Sequence, residues 1–395
     1  MIEPLPNWRS IWVRAPSIAL SRSAFASAIC SVPFSSPVRG GGSRISAISV
    51  SLAPLYYPFV GRAERAVSSS ARRTTKEDGI DLATPRAAGL GDRLAATPGL
   101  LVRRDEPLAK HTTLRIGGPA ELLVDVASER ALVALLTEVR GAGAPFVLLG
   151  LGSNVLAPDA GLPGVVARLT GELKRVRIRG RRVSAGAGVA LAQVARKAAK
   201  AGLAGLEALS GFPSTVGGAV HMNAGCYGTE VKDVLVSARV VELDGGRRRI
   251  ATSELEAAYR WTILKRTGAI VTRALFELAP GEPAALLARI DELNAKRWQS
   301  LPSGVANAGS IFRNPPGDYA GRLLDECGLK GARVGGAEVS PKHANVIVNT
   351  GGAAAAEVLA LMRTMRRAVA ERFGVVLEPE VVLLGGLGDE LGNGR

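Results

Sequence analysis

From about residue 90 the apolar positions of this chain settle into two spacings, one of a strand and one of a helix. Residues 122–126 form a compact apolar run that predicts a strand. Leu132, Leu135, Leu136 and Val139 then recur three and four apart, on one face of a helix that Ser128 can cap and that runs to Gly141. A short buried strand is expected over 146–149, another over 165–169, and a hairpin of 175–178 with 182–185 around Gly180. A helix over 189–201 turns Leu191, Val194, Ala195 and Ala198 inward. Residues 235–243 and 247–251 flank Asp244-Gly245, a strong hairpin signal. Ser253 with Glu256 predicts a capping box on a short helix, and 269–278 a strand. The helix over 283–298 carries the stripe Leu286, Leu287, Ile290 and Leu293. After a break at 302–307 the pattern predicts a helix over 318–327 stopped at Gly328 and a strand over 345–348. A long helix over 353–373, stopped at Gly374, and a terminal strand over 375–384 follow. Strands and helices mix without a repeat, which is an α+β pattern.

Glycines interrupt this pattern in three places. Residues 110–120 end in the tight turn Gly117-Gly118-Pro119. The strand at 146–149 runs straight into Gly150-Leu151-Gly152-Ser153-Asn154, whose small residues would expose backbone donors to a pyrophosphate. It is not the dinucleotide fingerprint, because no third glycine opens a helix at the required offset. Residues 209–228 read LSGFPSTVGGAVHMNAGCYG, with five glycines and Asn223 among them. Such a stretch lets a ligand approach the main chain, and by itself it serves equally well as a connector.

Composition narrows the function. At 395 residues, the length suggests two or three domains, and 47% hydrophobic with 22% charged residues is ordinary for a globular chain. The net charge of +15 is uneven: the first 76 residues hold ten Lys/Arg against Glu3 and Glu64. The moderately basic remainder favours phosphorylated ligands. Nucleic acid is disfavoured, since aromatics are only 4% and no basic helix is interleaved with them. Cys30, Cys226 and Cys327 form no close pair, and the histidines His111, His221 and His343 are as scattered, so no disulfide framework or metal site is expected and a reducing compartment fits. No apolar run is long enough to span a membrane. Residues 1–80, rich in Ser, Arg, Ala and Pro, read as a disordered extension, with a targeting segment or a misassigned start as the alternatives.

Four polar residues stand in unusual settings: Asn223 in the glycine loop, Arg260 between Tyr259 and Trp261, Ser310 after Gly309, and Glu380 after Pro379 in an apolar stretch. A carboxylate buried there needs a partner, and Arg260 is a candidate. Taken singly, each is more often structural than catalytic. Ser310 lacks the elbow and the base of a serine hydrolase. It can instead donate a proton to an enolate, with an arginine and a glutamic acid stabilising the charge. With glycine loops to hold a cofactor, that set suits reduction of an activated double bond.

The motifs, in order, are TLRIGGPAEL at 113–122, GLGSN at 150–154, GFPSTVGGAVHMNAGCYG at 211–228, YRWTILK at 259–265, AGSIFRNP at 308–315, GLKG at 328–331 and LEPEV at 377–381. Together they resemble the UDP-N-acetylenolpyruvoylglucosamine reductase family over residues 88–388. The resemblance implies an FAD-binding fold of the vanillyl-alcohol-oxidase (PCMH) type in two subdomains, 88–163 and 164–282, with the terminal strand 375–388 returning to the first. It also implies a UDP-sugar-binding α+β domain over 300–374. The short gap between 228 and 259 looks like the shorter subclass. The implied activity is NADPH-dependent, FAD-mediated reduction of the enolpyruvyl UDP-sugar to UDP-N-acetylmuramate for peptidoglycan, in the cytoplasm. NADPH reduces FAD and leaves; the sugar then takes the hydride at its β-carbon, Ser310 protonates the enolate, and Arg260 and Glu380 bind and polarise the carboxylate end.

By the same resemblance, Gly117, Gly118, Gly150, Gly152, Ser153, Asn154, Ser214, Thr215, Gly217, Gly218, Asn223, Ala224 and Gly225 would contact FAD. Tyr259, Arg313, Asn314 and Lys330 would reach the substrate, and no metal is implied. The chain departs from the family pattern with Ser214 in place of glycine and Thr262 in place of serine, while His221 and Cys226 read as packing. The alternatives are another FAD oxidoreductase of the same fold, which should lack the set Arg260, Ser310 and Glu380, and a flavin- or nucleotide-binding module without turnover. Nothing requires an oligomer, and a monomer is compatible with the sequence.

Overall fold

The computed structural model describes residues 89–392, so the reading of residues 1–80 lies outside the described residues. Among the described residues, three sheets of four or five strands, three two-stranded pairs and their helices make up the α+β fold. The first sheet has the order Leu100–Pro107, Pro119–Val126, Leu162–Leu169, Phe146–Leu148. Its first pair is antiparallel and the others are parallel. The helix Glu129–Gly141 is the crossover from Pro119–Val126 to Phe146–Leu148, parallel strands that lie on either side of Leu162–Leu169. Ser128 caps that helix by accepting the Ala131 N–H, and Leu132, Leu135, Leu136 and Val139 are buried. Leu162–Leu169 lies between two parallel partners and is buried along most of its length, so the first sheet runs to residue 169. The expected boundary at 163 falls inside this strand.

The second sheet is antiparallel throughout, in the order Arg247–Ala251, Leu235–Val241, Ile270–Glu277, Arg182–Gly186, Val176–Arg179. Asp244 and Gly245 make the expected hairpin turn, with the Gly246 N–H on the Asp244 carboxylate. The helices Leu191–Lys200 and Pro283–Ser300 pack together beside it. In the latter only Ile290 and Leu293 are fully buried; Leu286 and Leu287 are partly buried. The first two sheets share one continuous core from Leu90 to Ile290.

The third sheet, Ala306–Ser310, Val346–Asn349, Ala337–Val339, Arg333–Val334, packs against the helix Ala355–Phe373. That helix ends at Gly374, in the left-handed region. Its start is capped from far away, because the Asp159 carboxylate accepts the N–H groups of Ala355 (2.8 Å) and Ala356 (3.2 Å).

Two local expectations are corrected. Ser253 and Glu256 make no capping box: Glu254 accepts the Ala251 N–H at 2.7 Å, over a short 3-10 turn at Thr252–Leu255, and Glu256 is left-handed. The terminal strand expected over 375–388 is only Val382–Leu383, parallel to Val155–Leu156. Pro379 makes one isolated bridge to Phe312, having no N–H for a ladder. Residues after the left-handed Gly386 form a helix, Leu387–Leu391. The terminal segment nevertheless joins two cores, with Leu384 in a cluster beneath the first sheet and Leu383, Leu387 and Leu391 in that of the third.

Glycine 118 has an ordinary φ, yet a Cβ there would run into the carbonyl oxygen of Asp159. Gly141, by contrast, has nothing within 4 Å of a Cβ. Gly118→Ala should therefore lower stability by about 1–3 kcal/mol through forced backbone movement. Gly141→Ala should be neutral or stabilising by about 0.4–1 kcal/mol. Denaturant midpoints of the two variants decide this, and equal midpoints would show that the close approach at 118 is not felt.

Candidate active site

Two glycine-containing loops face one another. A Cβ on Gly150 would lie 2.9 Å from the Thr215 hydroxyl, and the Ser153 hydroxyl donates to the Pro213 carbonyl. Thr215 caps the helix Val216–Met222 by accepting the Gly218 N–H at 3.2 Å. Among the described residues, the backbone N–H groups of Gly150, Leu151, Gly152, Ser153, Asn154, Ser214 and Thr215 find no acceptor in the protein. Backbone donors left unpaired need a partner, and successive free N–H groups suit phosphate oxygens. No acidic side chain stands in either loop. This donor set fits the pyrophosphate of FAD.

Several glycines of the sequence motifs are also required by packing. The left-handed Gly152 packs on the His111 carbonyl, and Gly117, at φ 131°, packs on Ala157 and Leu108. Gly217 fits against Ala187, its N–H donating to the Ala187 carbonyl at 2.8 Å. Gly225 is in a two-residue strand opposite Glu230, and the Ala224 N–H donates to the Ala219 carbonyl. Asn223 is buried and left-handed, and its side chain is fully used inside the protein. The amide donates to Glu230 and to the Ala258 carbonyl, both at 3.0 Å, while its oxygen accepts the Lys232 N–H. Two of these bonds stay within residues 223–232, and the third reaches the hairpin Ala258–Trp261.

That hairpin presents Arg260. Ala258 and Trp261 exchange both backbone hydrogen bonds, which leaves Tyr259 and Arg260 at the tip. Arg260 has φ 55°, a position that turns usually fill with glycine or asparagine. Holding a long side chain there costs on the order of 1–3 kcal/mol and persists only where surroundings over-determine it. The surroundings here do so. The Arg260 Nε donates to Glu380 at 2.6 Å, its Nη1 reaches the Gly225 carbonyl at 3.5 Å, and the guanidinium stands 4.9 Å from the Tyr259 ring. Lys265 donates to the Arg260 carbonyl at 2.8 Å, from the one-turn helix Leu264–Thr267. Burial opposes the charge on Arg260, but the charge and hydrogen bond of Glu380 outweigh it and raise its pKa. The Thr262 hydroxyl donates to the His221 carbonyl at 2.7 Å, so the residue that departs from the family pattern keeps a hydroxyl with a partner.

Glu380 is fixed at its backbone as well. Its N–H donates to the Ile311 carbonyl at 2.8 Å, and Asn154 donates to its carbonyl at 3.0 Å. Asn154 therefore links the first glycine loop to the main chain of Glu380. Ser310, one residue before Ile311, ends the strand Ala306–Ser310 just past a register shift and the left-handed Gly309. Its hydroxyl makes no hydrogen bond among the described residues. Buried Asn345 holds the adjoining backbone, exchanging bonds with the N–H (2.9 Å) and carbonyl (2.8 Å) of Phe312. Arg260 and Glu380 are thus brought into contact, and Ser310 is tied to them through Ile311.

Ser310, Asn314 and Lys330 line one cavity of about 490 Å³, together with Arg322, Lys342 and His343. Asn314 accepts the Ala320 N–H at 3.1 Å, and Lys330 bonds Asp325 at 2.9 Å. Arg313 lies 3.6 Å from Glu378, with its buried Nε unpaired among the described residues. Tyr259 is exposed beside Arg260, away from this cavity. The structure adds Lys265 and His343, which carried no assigned role in the sequence. Lys265 stands within the YRWTILK motif; His343 had no local signal.

The comparisons with known proteins agree with this arrangement. Residues 120–251 match the FAD binding domain, and residues 301–384 match the UDP-N-acetylenolpyruvoylglucosamine reductase C-terminal domain. The UDP-N-acetylenolpyruvoylglucosamine reductase 2 of Symbiobacterium thermophilum is 46% identical over 284 residues, 72% of this chain and 92% of that protein. The reductase of Moorella thermoacetica is 45% identical over 286 residues, 72% of this chain and 94% of its own length. The crystal structure of the Thermus caldophilus reductase superposes with a TM-score of 0.64 at 40% identity, covering 72% of this chain and all of that one. With that identity over nearly the whole length of its relatives, the chain belongs to the UDP-N-acetylenolpyruvoylglucosamine reductase family.

Proposed function

We propose that this protein reduces UDP-N-acetylglucosamine enolpyruvate to UDP-N-acetylmuramate with NADPH, as a step of peptidoglycan synthesis in the cytoplasm. The observation that carries this reading is the Arg260–Glu380 pair at 2.6 Å, bonded through Ile311 to the strand end that bears Ser310. When bound, FAD supplies hydride transfer from NADPH to the substrate. The free N–H groups of the facing loops at 150–154 and 214–215 would hold its pyrophosphate. The first two sheets form the FAD-binding part, and residues 300–374 the UDP-sugar part, in a protein of the shorter subclass.

Hydride addition at the β-carbon of the enolpyruvyl group leaves negative charge on the α-carbon, spread into its carboxylate. Arg260 meets that carboxylate with a guanidinium already oriented by Glu380, so no reorganisation is needed as charge develops. The Ser310 hydroxyl, with no hydrogen bond to other described residues, gives its proton to the α-carbon. Asn314, Lys330 and the cavity cations Arg322 and Lys342 receive the sugar and its diphosphate, and Arg313, whose buried Nε is unpaired among the described residues, contributes to substrate binding.

The test follows the visible spectrum of the purified protein. Bound FAD should be bleached by NADPH and, without oxygen, recoloured by the enolpyruvyl sugar; a protein that carries no FAD, or stays bleached, would overturn the reading. In Ser310→Ala, bleaching by NADPH should be unchanged, while recolouring slows on the order of 10²–10⁴-fold. An equal loss in both steps would remove Ser310 from its role. Asn223→Ala, which leaves the Lys232 N–H and the Ala258 carbonyl short of a partner, should lose about 1–3 kcal/mol of stability in a denaturant titration. If its midpoint matches the wild type, the hairpin does not depend on Asn223.

A further inference from the structure

We propose that Lys265 is a positioning residue for the substrate carboxylate: its ammonium group clamps the Arg260 carbonyl, keeps the turn left-handed, and adds positive charge where the carboxylate docks. The inference rests on the reading of Arg260 as the carboxylate-binding residue.

Three observations meet at this side chain. Arg260 occupies, at φ 55°, a turn position that disfavours long side chains. Among the described residues, the turn is closed by the two Ala258–Trp261 backbone bonds and steadied by Asn223 on the Ala258 carbonyl, and these fix the ends of the hairpin but not its tip. At the tip, the polar group that meets the Arg260 main chain is the Lys265 ammonium, at 2.8 Å. A peptide that flipped to relieve the strain would have to give up that bond, so the clamp biases the direction in which the guanidinium leaves the backbone.

The lysine is also held in place. Its helical turn begins from Thr262, whose carbonyl accepts the Lys265 N–H and whose hydroxyl is fixed to the His221 carbonyl, and it closes on the left-handed Gly268. The charged and titratable groups around it are Arg260, Arg313 and Glu380, with His221 on the helix packed behind. Burial and then Lys265 hold the His221 pKa down to about 4, so that imidazole stays neutral. Glu380 pairs with Arg260 and acts on Lys265, Arg313 stands 3.6 Å from the exposed Glu378, and Glu230, which also acts on Arg260, is itself paired with Lys232; Arg260, Lys265 and Arg313 therefore outnumber Glu380 and Glu378 by one charge. Such a surplus of positive charge, away from bulk water, is matched by an anionic ligand group.

Burial, followed by the charge of Arg313, pulls the Lys265 pKa down to about 8, with Glu380 acting against the fall. The ammonium is thus complete below that pH and is lost as pH rises through it. Docking of a carboxylate should restore the proton.

The test compares FAD-loaded wild type, Lys265→Met and Lys265→Arg. Titration calorimetry reads the affinity for UDP-N-acetylmuramate, which carries the carboxylate, and for UDP-N-acetylglucosamine, which lacks it. In Lys265→Met the first should weaken about tenfold or more, and the second should hold to within about twofold. Between about pH 7 and about pH 9 the wild type should lose part of its preference for the carboxylate ligand, whereas Lys265→Arg, charged at both, should keep it. Bleaching by NADPH should be alike in all three. The inference is overturned if Lys265→Met binds both ligands as the wild type does, or if it loses both equally. Should the methionine variant not fold, a pH dependence identical in wild type and Lys265→Arg overturns it as well. A wild type that is not recoloured by the enolpyruvyl sugar overturns the assigned activity instead, and is distinguished by that alone.

Discussion

The ion pair between Arg260 and Glu380 spans 120 positions of sequence, and the rest of the site is arranged to make it possible. Both groups are largely out of water, where an unpaired charge costs several kcal/mol, so neither can be kept without the other. Each is also anchored through its main chain. Arg260 is held at the tip of a strained hairpin that Asn223 supports from the glycine loop. Glu380 is held by the Ile311 carbonyl and by Asn154 of the other loop. The first loop with free backbone donors is thus bonded to the main chain of Glu380, and Asn223, one helix after the second, to the main chain of the hairpin that carries Arg260. The cofactor cradle and the carboxylate site form one hydrogen-bonded structure.

The same connections explain why the third sheet and the terminal segment belong to the site. Asn345 fixes the backbone of Phe312, the Ile311 carbonyl accepts from Glu380, and Ser310 stands at the end of that strand beside an open cavity. Val382–Leu383 pairs in parallel with Val155–Leu156, immediately after the 150–154 loop. A chain end that returns in this way places Glu380 by pairing on one side and by bridging to Phe312 on the other. It does not need to be a long strand, and with Pro379 in it it cannot be one.

Much of this was legible in the residues. The amphipathic helix Glu129–Gly141 with its serine cap, the hairpin at Asp244-Gly245 and the helix closed by Gly374 all follow from local rules that depend on near neighbours. The ordered motifs identified the family, and with it the roles expected of Arg260, Ser310 and Glu380. Glycines were harder to interpret. Gly152 and Gly217 looked like ligand-facing positions, yet each is also required because another backbone passes close by, and no local pattern distinguishes the two causes. The partners of the Asn223 amide were equally illegible, because Ala258, Glu230 and Lys232 reach it only after folding.

By itself the sequence determined the α+β class, most of the helices and strands, the family and the short list of chemical groups, because these depend on spacing and on residue type. Only the tertiary structure decided which charges meet. It brought Asp159 to cap a helix nearly two hundred residues away, left the N–H groups of two separate loops free side by side, and put Lys265 on the carbonyl of a left-handed arginine. It also set the electrostatic outcome, a lysine drawn down to about 8 and a histidine kept neutral, since burial and charge density exist only once the chain has packed.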